Sequence, residues 1–451
     1  MSVRNMTQGR PAGLIFSVAL PLMLGNVFQQ LYTVVDAQVV GVVEGVSALA
    51  ALGASDWFNW MFLGIIQGLA QGFTIPMAQA FGAGDHAYLR RCVAHALILS
   101  LLSIALITAL GLGLIAPVLR LLGTPAQLQP TAACYLRILF CGFPVVMAYN
   151  FMAGILRALG DGRSPLYAMV LASLVNIALD LLFVAVLGWG VAGAAIATVI
   201  AQASSCVFCL FRLRRIDFIR PHREDFRLQR HVARRLMLLG LPIAAQNAII
   251  AIGGMIVQRI VNTLGVSFIA GYTATNKLYG VLEIAAISYG YAISTYTGQN
   301  LGAAQYERIR RGVHTAVFIG VLTAGVITGA MLLFGRGIVG SFISGTPEEV
   351  SRATAVAWEY LRLMALCLPI LYILHIYRSA LQGMGNTLMP MLSGLLEFVM
   401  RTAAAFLLPG LIAYRGVFWA EILAWLGADL VLVPSYYLLS ARLFRTRRKA
   451  F

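Results

Sequence analysis

The chain has 451 residues, of which 60% are hydrophobic and only 11% are charged, whereas soluble domains carry about 25% charged residues. This composition excludes an ordinary soluble protein, and the continuous apolar runs exclude a transmembrane β-barrel, whose strands would alternate. The formal net charge of +16 could indicate nucleic-acid binding, so the position of the arginines along the chain has to decide.

Twelve apolar segments are each long enough to cross a bilayer, which takes roughly 20 residues. Six of these spans lie in each half of the chain, at about 14–42, 48–76, 92–118, 131–155, 165–188 and 190–211, then 237–263, 267–297, 312–340, 354–380, 388–410 and 416–440. The sequence therefore predicts an all-α polytopic membrane protein with twelve transmembrane helices, located in a cell membrane.

The basic residues fall in alternate loops between these spans. One set of loops holds Arg4 and Arg10, Arg90 and Arg91, Arg157 and Arg163, the run Arg212 to Arg235, Arg308 to Arg311, and Arg442 to Lys449. The other set holds only Arg120, Arg336, Arg352 and Arg415. By the positive-inside rule, both termini and the central loop are expected to be cytoplasmic. The positive charge thus indicates topology, with attraction to membrane lipids as a second effect, and no nucleic-acid partner is expected.

An internal repeat relates the two halves at a spacing of 220 to 225 residues. It pairs Leu20 with Leu241, Gln79 with Gln299, Tyr135 with Tyr360, and Gly160 with Gly385. Six helices per copy is an even number, so both copies should insert with the same orientation as parallel lobes. We expect an N-terminal lobe over residues 1–211, a basic cytoplasmic linker over 212–236, and a C-terminal lobe with a basic cytoplasmic tail over 237–451. Two such lobes would enclose a central cavity, which implies transport.

Two carboxylates lie deep inside otherwise uncharged spans. Asp36 is the only charged residue between Pro11 and Val43, and Asp180 is the only one between Ser164 and Phe211. An unpaired ion there costs roughly 3 kcal/mol on insertion scales, so carboxylates at such depth usually bind or carry something.

Helical spacing gathers polar side chains around both acids. Gln29, Tyr32 and Asp36 form one stripe on the first span, and Asn176 shares a face with Asp180 on the fifth span, about 22 Å from its start. Thr198 lies early in the sixth span, so Asp36, Asn176, Asp180 and Thr198 can meet in the outer half of the first lobe. These oxygen ligands suit a small hard cation such as sodium. Alternatively, two neighbouring carboxylates can retain a proton, or the polar groups can simply hold the helices together.

The second lobe lacks this acidic arrangement. Asp36 aligns with Val257 and Asn176 with Arg401 in the repeat, and Glu397 lies four residues before Arg401, which predicts an ion pair. The residues that we expect to line a substrate cavity are Gln29 and Tyr32 from the first lobe, and Gln258, Lys277 and Glu283 from the second.

Several segments are typical of one known family. They are Pro21 to Gly41 with its acid at Asp36, the turn Gln79-Ala80-Phe81-Gly82-Ala83-Gly84, and its copy at Gln299 to Ala303. In these segments and in the twelve-helix repeat, nearly the whole chain resembles the multidrug and toxic compound extrusion (MATE) transporters, in their prokaryotic branch.

This resemblance implies a secondary antiporter rather than an enzyme, working by alternating access. It would export cationic or amphipathic small molecules, such as drugs, toxins or metabolites, in exchange for protons or sodium ions, with no other cofactor. The family's first-lobe cation site maps onto Asp36, Asn176, Asp180 and Thr198. Another branch places acidic ligands on the seventh and tenth helices, which here carry none at the matching positions, so a second-lobe sodium site is not expected. We expect a monomer.

Two other functions are compatible with parts of the sequence. A flippase for a lipid-linked oligosaccharide shares the wider repeat architecture and would gather basic residues, for which Arg259, Lys277 and Arg401 are candidates. A membrane enzyme would need a nucleophile with its base or a metal cluster, yet the six histidines are scattered without paired spacing.

Overall fold

A computed structural model of the chain describes residues 3–43, 46–121, 124–343 and 346–448. Lys449, the last basic residue of the predicted tail, lies outside the described residues. The α-helices are α1 Pro11–Val43, α2 Val46–Ala83, α3 His86–Leu121, α4 Gln129–Cys141, α5 Phe143–Ala158, α6 Arg163–Asp180, α7 Gly190–Leu213, α8 Arg230–Val261, α9 Val266–Gly302, α10 Tyr306–Ser341, α11 Pro347–Gly383, α12 Leu388–Leu407, α13 Pro409–Ile412 and α14 Arg415–Arg448.

The helices confirm the predicted all-α membrane fold. Within the described ranges, ten helices are long and apolar enough to cross a membrane, and the bent pair α4–α5 makes an eleventh span. Helix α9 is also long enough, at 37 residues, but Lys277, Glu283 and many hydroxyl side chains make it more polar than the others. It completes the twelve spans that the sequence predicts.

Two spans differ from their predicted form. The span predicted at 131–155 is not one helix, because the chain bends by 45° between α4 and α5. Gly142 lies at this break and Pro144 follows in the first turn of α5, where a proline ring is tolerated but cannot continue a helix from before it. The span predicted at 165–188 is α-helical only to Asp180 and continues as a π-helix over Leu181–Val186.

The chain divides into two compact units. Unit 1 comprises Met1–Met6 and Leu20–Ala248, and unit 2 comprises Thr7–Ala19 and Ile249–Phe451. Helices α1 and α8 therefore each contribute to both units. The division into lobes at the 212–236 linker stays a prediction, since the linker and the first half of α8 are grouped with unit 1.

The 212–236 linker is folded against unit 1. Its Phe218 ring lies 5.9 Å from that of Phe81 and 4.8 Å from that of His86. The backbone N–H of Gln229 donates to Nε2 of His95 over 2.8 Å. These contacts dock the linker on the beginning of α3 and the end of α2.

A glycine seam joins α2 to the first half of α8 within unit 1. Gly64, Gly68 and Gly72 recur every four residues and so share one face of α2. A β-carbon on Gly72 would lie 2.3 Å from Cα of Gly240, and one on Gly68 would lie 2.7 Å from Cα of Ala244. Small residues at this spacing let two membrane helices approach until their backbones touch.

Candidate cation-binding site

Three helical segments of unit 1 meet at a small buried apolar cluster. It consists of Val40 near the end of α1, Val184 in the π-helix, and Val191 and Ala194 at the start of α7. Asp36 lies four residues before Val40, Asp180 four before Val184, and Thr198 four after Ala194. Residues four apart share a helix face and are separated by about 6 Å along the axis. The cluster therefore brings the three polar side chains to one side of the same junction.

Three acidic or amide side chains at this junction are buried, and they have atoms without a partner among the described residues. Asp36 is 8% exposed, and Asn176 and Asp180 are 0% exposed. Among the described residues, no hydrogen-bond partner is present for Oδ1 of Asp36, for either carboxylate oxygen of Asp180, or for either amide atom of Asn176. Since roughly 90% or more of buried polar groups are hydrogen-bonded in native structures, five such atoms together indicate a place for a ligand. They argue against the alternative that these groups merely hold the helices together.

The two carboxylates interact electrostatically with each other. Asp56 on α2 adds a third negative charge that acts on Asp36. None of the ion pairs in the described part of the chain involves Asp36 or Asp180. Arg137, which could have supplied a basic partner, is exposed and pairs with neither acid. Within the described residues no basic side chain therefore neutralises the two acids, so that a bound cation or a proton is left to do so.

Aromatic and amide side chains surround the acids. The Tyr32 hydroxyl interacts with the side chains of Gln29 and Gln202 and lies in the field of both carboxylates. Tyr135 on α4 packs against the apolar cluster and is also within electrostatic reach of Asp36 and Asp180. Sequence reasoning missed Tyr135, since nothing in its spacing relates α4 to α1.

Thr198 and Asp180 are each positioned by local backbone features. The Thr198 hydroxyl donates to the carbonyl of Ala194 over 3.1 Å, which leaves its oxygen lone pairs free to face a ligand. Asp180 is the last residue before the π-helix, and π-helical turns occur frequently at functional sites. The Ser173 hydroxyl shares its hydrogen between the Met169 carbonyl of its own helix, at 2.9 Å, and the Phe28 carbonyl of α1, at 3.1 Å, so α6 lies beside α1 close to Asn176 and Asp180.

The donor set can accommodate a small cation. Two carboxylates, an amide oxygen and a hydroxyl are hard ligands of the kind that sodium prefers. No group of three or more His, Cys, Asp or Glu side chains within the described ranges could hold a metal ion. A bound sodium ion would therefore depend on Asn176 and Thr198 as well as on the two acids, whereas a proton would need the acids alone.

The remaining predicted residues divide between the two units. Gln29 and Tyr32 join the junction in unit 1. In unit 2, Gln258 donates to the Asn262 side chain over 2.9 Å, Lys277 is exposed, and Glu283 pairs with Nε2 of His375 at 3.2 Å. Their assignment to a substrate cavity stays a prediction.

Unit 2 holds a buried charge network around Arg401, which the repeat aligns with Asn176 of this junction. Nη2 of Arg401 lies 3.0 Å from Oε1 of Glu397 and 2.7 Å from Oε1 of Glu421. Glu397 also pairs with Arg378 at 2.7 Å. The predicted Glu397–Arg401 pair is confirmed and belongs to a larger network.

Comparison with known proteins identifies the family. The MatE family model matches residues 21–182 and 242–407, one match in each half of the chain. The chain belongs to the MatE family. The resemblance inferred from the sequence is thereby confirmed, and because the members of this family are transporters, the chain is not an enzyme.

MatE relatives cover most of the chain. A probable multidrug resistance protein YpnP of Bacillus subtilis is 28% identical over 402 residues, covering 88% of each chain. A probable multidrug resistance protein NorM of Thermotoga maritima is 25% identical over 409 residues, covering 84% of this chain and 81% of its own. A crystal structure of a MATE protein in complex with MaL6 has a TM-score of 0.91 at 23% identity, covering 98% of this chain and 99% of that one. It has the same fold as this MatE protein.

Proposed function

We propose that this MatE protein is a secondary active antiporter that exports cationic or amphipathic small molecules in exchange for protons or sodium ions. The observation that carries the proposal is the set of five polar atoms on Asp36, Asn176 and Asp180 that are buried in unit 1 and have no partner in the described part of the chain. Relatives described as probable multidrug resistance proteins support the export of small molecules.

Cation binding would change the charge of the junction and thereby its conformation. Two buried carboxylates repel each other, and a proton or sodium ion between them removes that repulsion. The part of α1 that would respond contains Pro21, which interrupts the backbone hydrogen bonds. One turn further, Gly25 lies so close to α6 that a β-carbon there would be 2.8 Å from Sδ of Met169. A small shift of α1 at Pro21 would therefore change its packing against the helix that carries Asp180.

Coupling requires that cation and substrate prefer different conformations. If the cation binds one conformation more tightly than the other, its binding shifts the population towards that conformation by the ratio of the two affinities. By linkage, the cation changes the affinity for the substrate, and the substrate changes the affinity for the cation by the same factor. Alternating access then follows when one conformation opens to each side of the membrane. In this proposal Asp36 and Asp180 receive the ion, Asn176 and Thr198 complete its ligands, and Gln29, Tyr32, Gln258, Lys277 and Glu283 belong to the substrate path.

The proposed setting is the inner or plasma membrane of a bacterium, with both termini in the cytoplasm and a single chain as the working unit. The distribution of arginine between alternate loops supports this orientation. A flippase for an anionic lipid-linked sugar is not favoured, because Arg401, one of its candidate basic residues, is already neutralised by Glu397 and Glu421.

Dye efflux from proteoliposomes tests the proposal. A proton gradient and a sodium gradient are imposed separately on the wild type, Asp36→Asn, Asp180→Asn, and Asp217→Asn as a control that changes an exposed carboxylate of the linker. We expect one of the two gradients to drive dye efflux in the wild type and in the control. The same gradient should drive no efflux in Asp36→Asn or Asp180→Asn. Wild-type protein that moves no cationic dye under either gradient would overturn the proposal.

A further inference from the structure

A groove on the surface of unit 1 is lined by residues other than those of the cation site. It follows the break between α4 and α5 where these helices meet α7, and its volume is about 380 Å³. Its lining is apolar, with Ile138, Val145, Val199 and Ile200 among its walls, except for Arg137 at one end. Gly142 lies at the break, where Cγ2 of Val199 would be 2.5 Å from an added β-carbon.

Arg137 is placed unusually for an arginine in a membrane helix. It is exposed, and its guanidinium forms no hydrogen bond or ion pair with the residues that the structure describes. It lies eight residues after the start of α4 at Gln129, which is about 12 Å along the helix. Arginine at such depth normally pairs with another group or reaches towards the headgroups. An anionic partner from the bilayer would provide that pairing.

The groove has the dimensions of a lipid tail site below that arginine. From Arg137 to Val145 the lining extends over eight residues, at most about 12 Å along the helices, which is long enough to hold part of one acyl chain. Its apolar walls match an acyl chain, and the planar guanidinium matches a phosphate, which it can bind through two parallel hydrogen bonds. Along the groove, a positive charge at Arg137 is therefore followed by an apolar surface towards Val145. A phospholipid matches this order, with its headgroup at Arg137 and its acyl chain towards Val145.

We propose that this groove is a binding site for an anionic phospholipid, with its phosphate on Arg137 and one acyl chain along α4, α5 and α7. The assignment does not rest on the proposed antiport activity. Two native cysteines report on it directly, because both are exposed on α4. Cys141 lines the groove, whereas Cys134 is not part of the lining and lies three residues before Arg137 on α4.

Alkylation of the two cysteines by a maleimide, read by peptide mass spectrometry on the detergent-solubilised protein, measures occupancy. Added phosphatidylglycerol should slow the reaction of Cys141 relative to Cys134 roughly tenfold, which corresponds to about 1.4 kcal/mol for a charge-assisted contact. Arg137→Gln should remove this protection, and Arg137→Lys should keep part of it. Arg120→Gln, which removes an exposed charge at the end of α3, should behave as the wild type.

Three results would overturn the proposal. They are equal protection by phosphatidylcholine with the same chains, protection that survives in Arg137→Gln, and full protection by glycerol phosphate without a chain. The first would mean an acyl-chain groove without charge recognition, and the third would mean a phosphate site without a tail. Unchanged Cys134 reactivity and a single size-exclusion peak establish that each variant is folded.

Discussion

Arg401 of unit 2 stands at the position in the repeat that Asn176 occupies in unit 1. Both side chains are buried, but Arg401 carries its own positive charge between Glu397 and Glu421, whereas the amide of Asn176 has no partner among the described residues. In unit 2 the positive charge is thus a permanent part of the protein. At the related position of unit 1, an exchangeable cation would have to supply it.

We expect Arg401→Leu to destabilise the protein strongly. It would leave Glu421 without its cation and Glu397 with only Arg378, and breaking a buried ion pair costs about 3–5 kcal/mol. Thermal unfolding in detergent should show a clear fall in Tm. The control is Arg352→Leu, which breaks an exposed pair with Glu348 and should cost less than about 1 kcal/mol. Equal Tm values for the two variants would contradict a structural role for the network.

Asn176→Leu should have opposite effects on stability, which it should preserve or raise, and on transport, which it should abolish. Its amide is buried without described partners, and an unsatisfied buried group costs about 1–3 kcal/mol, so leucine should preserve or raise Tm while ion-driven efflux is lost. Asn300→Leu is the matched control. Asn300 is equally buried, but it donates to the Tyr296 carbonyl and accepts from Arg308, so its loss should lower Tm. A fall in Tm for Asn176→Leu as large as that of the control would identify Asn176 as structural.

Gly72→Ala should disturb the seam between α2 and α8. The new methyl group would lie 2.3 Å from the backbone of Gly240, so the two helices must separate, and overpacking of this kind costs about 1–3 kcal/mol. Gly113→Ala on α3 adds the same methyl group where nothing lies within 4 Å and should leave Tm unchanged. The comparison isolates the contact from the general effect of adding a methyl group to a membrane helix.

Phe218→Ala should release the 212–236 linker from unit 1. It removes the ring that packs on Phe81 and His86, and aromatic pairs contribute about 0.5–1.5 kcal/mol beyond the area that they bury. Limited trypsin digestion should then cut faster after Arg220 and Arg223. Phe226→Ala, which removes a ring that is already 41% exposed, should leave the rate as in the wild type. Equal cleavage rates in both variants would mean that the docked ring does not protect the linker.

The sequence predicted those parts of the site that depend on local chemistry. An isolated acid in an apolar span, such as Asp36 or Asp180, is visible without a structure, because little but binding compensates its cost in a membrane. Helical spacing also placed Asn176 and Asp180 on one face, and four-residue spacing predicted the Glu397–Arg401 pair.

Other features depend on contacts between distant segments and could not be predicted in this way. Tyr135 reaches the acids only because α4 packs against the Val40–Val184 cluster. The glycine seam requires knowing that α2 meets α8, and periodicity within a single helix does not reveal its neighbour. The π-helix after Asp180 and the break at Gly142 are departures from regular geometry, which apolar patterning alone does not distinguish from a continuous helix.

The break at Gly142 makes the two halves of the repeat mechanically unequal. Pro144 of the first half aligns with Pro369 of the second, yet α11 runs without interruption from Pro347 to Gly383, and Cys367 stands where the first half has Gly142. An unbroken helix moves as one rigid body, so a displacement at one end is carried to the other end. A span jointed at 45° lets one end pivot while the other stays in place. The half that carries Asp36 and Asp180 therefore has a break in this span that the corresponding helix of the other half lacks.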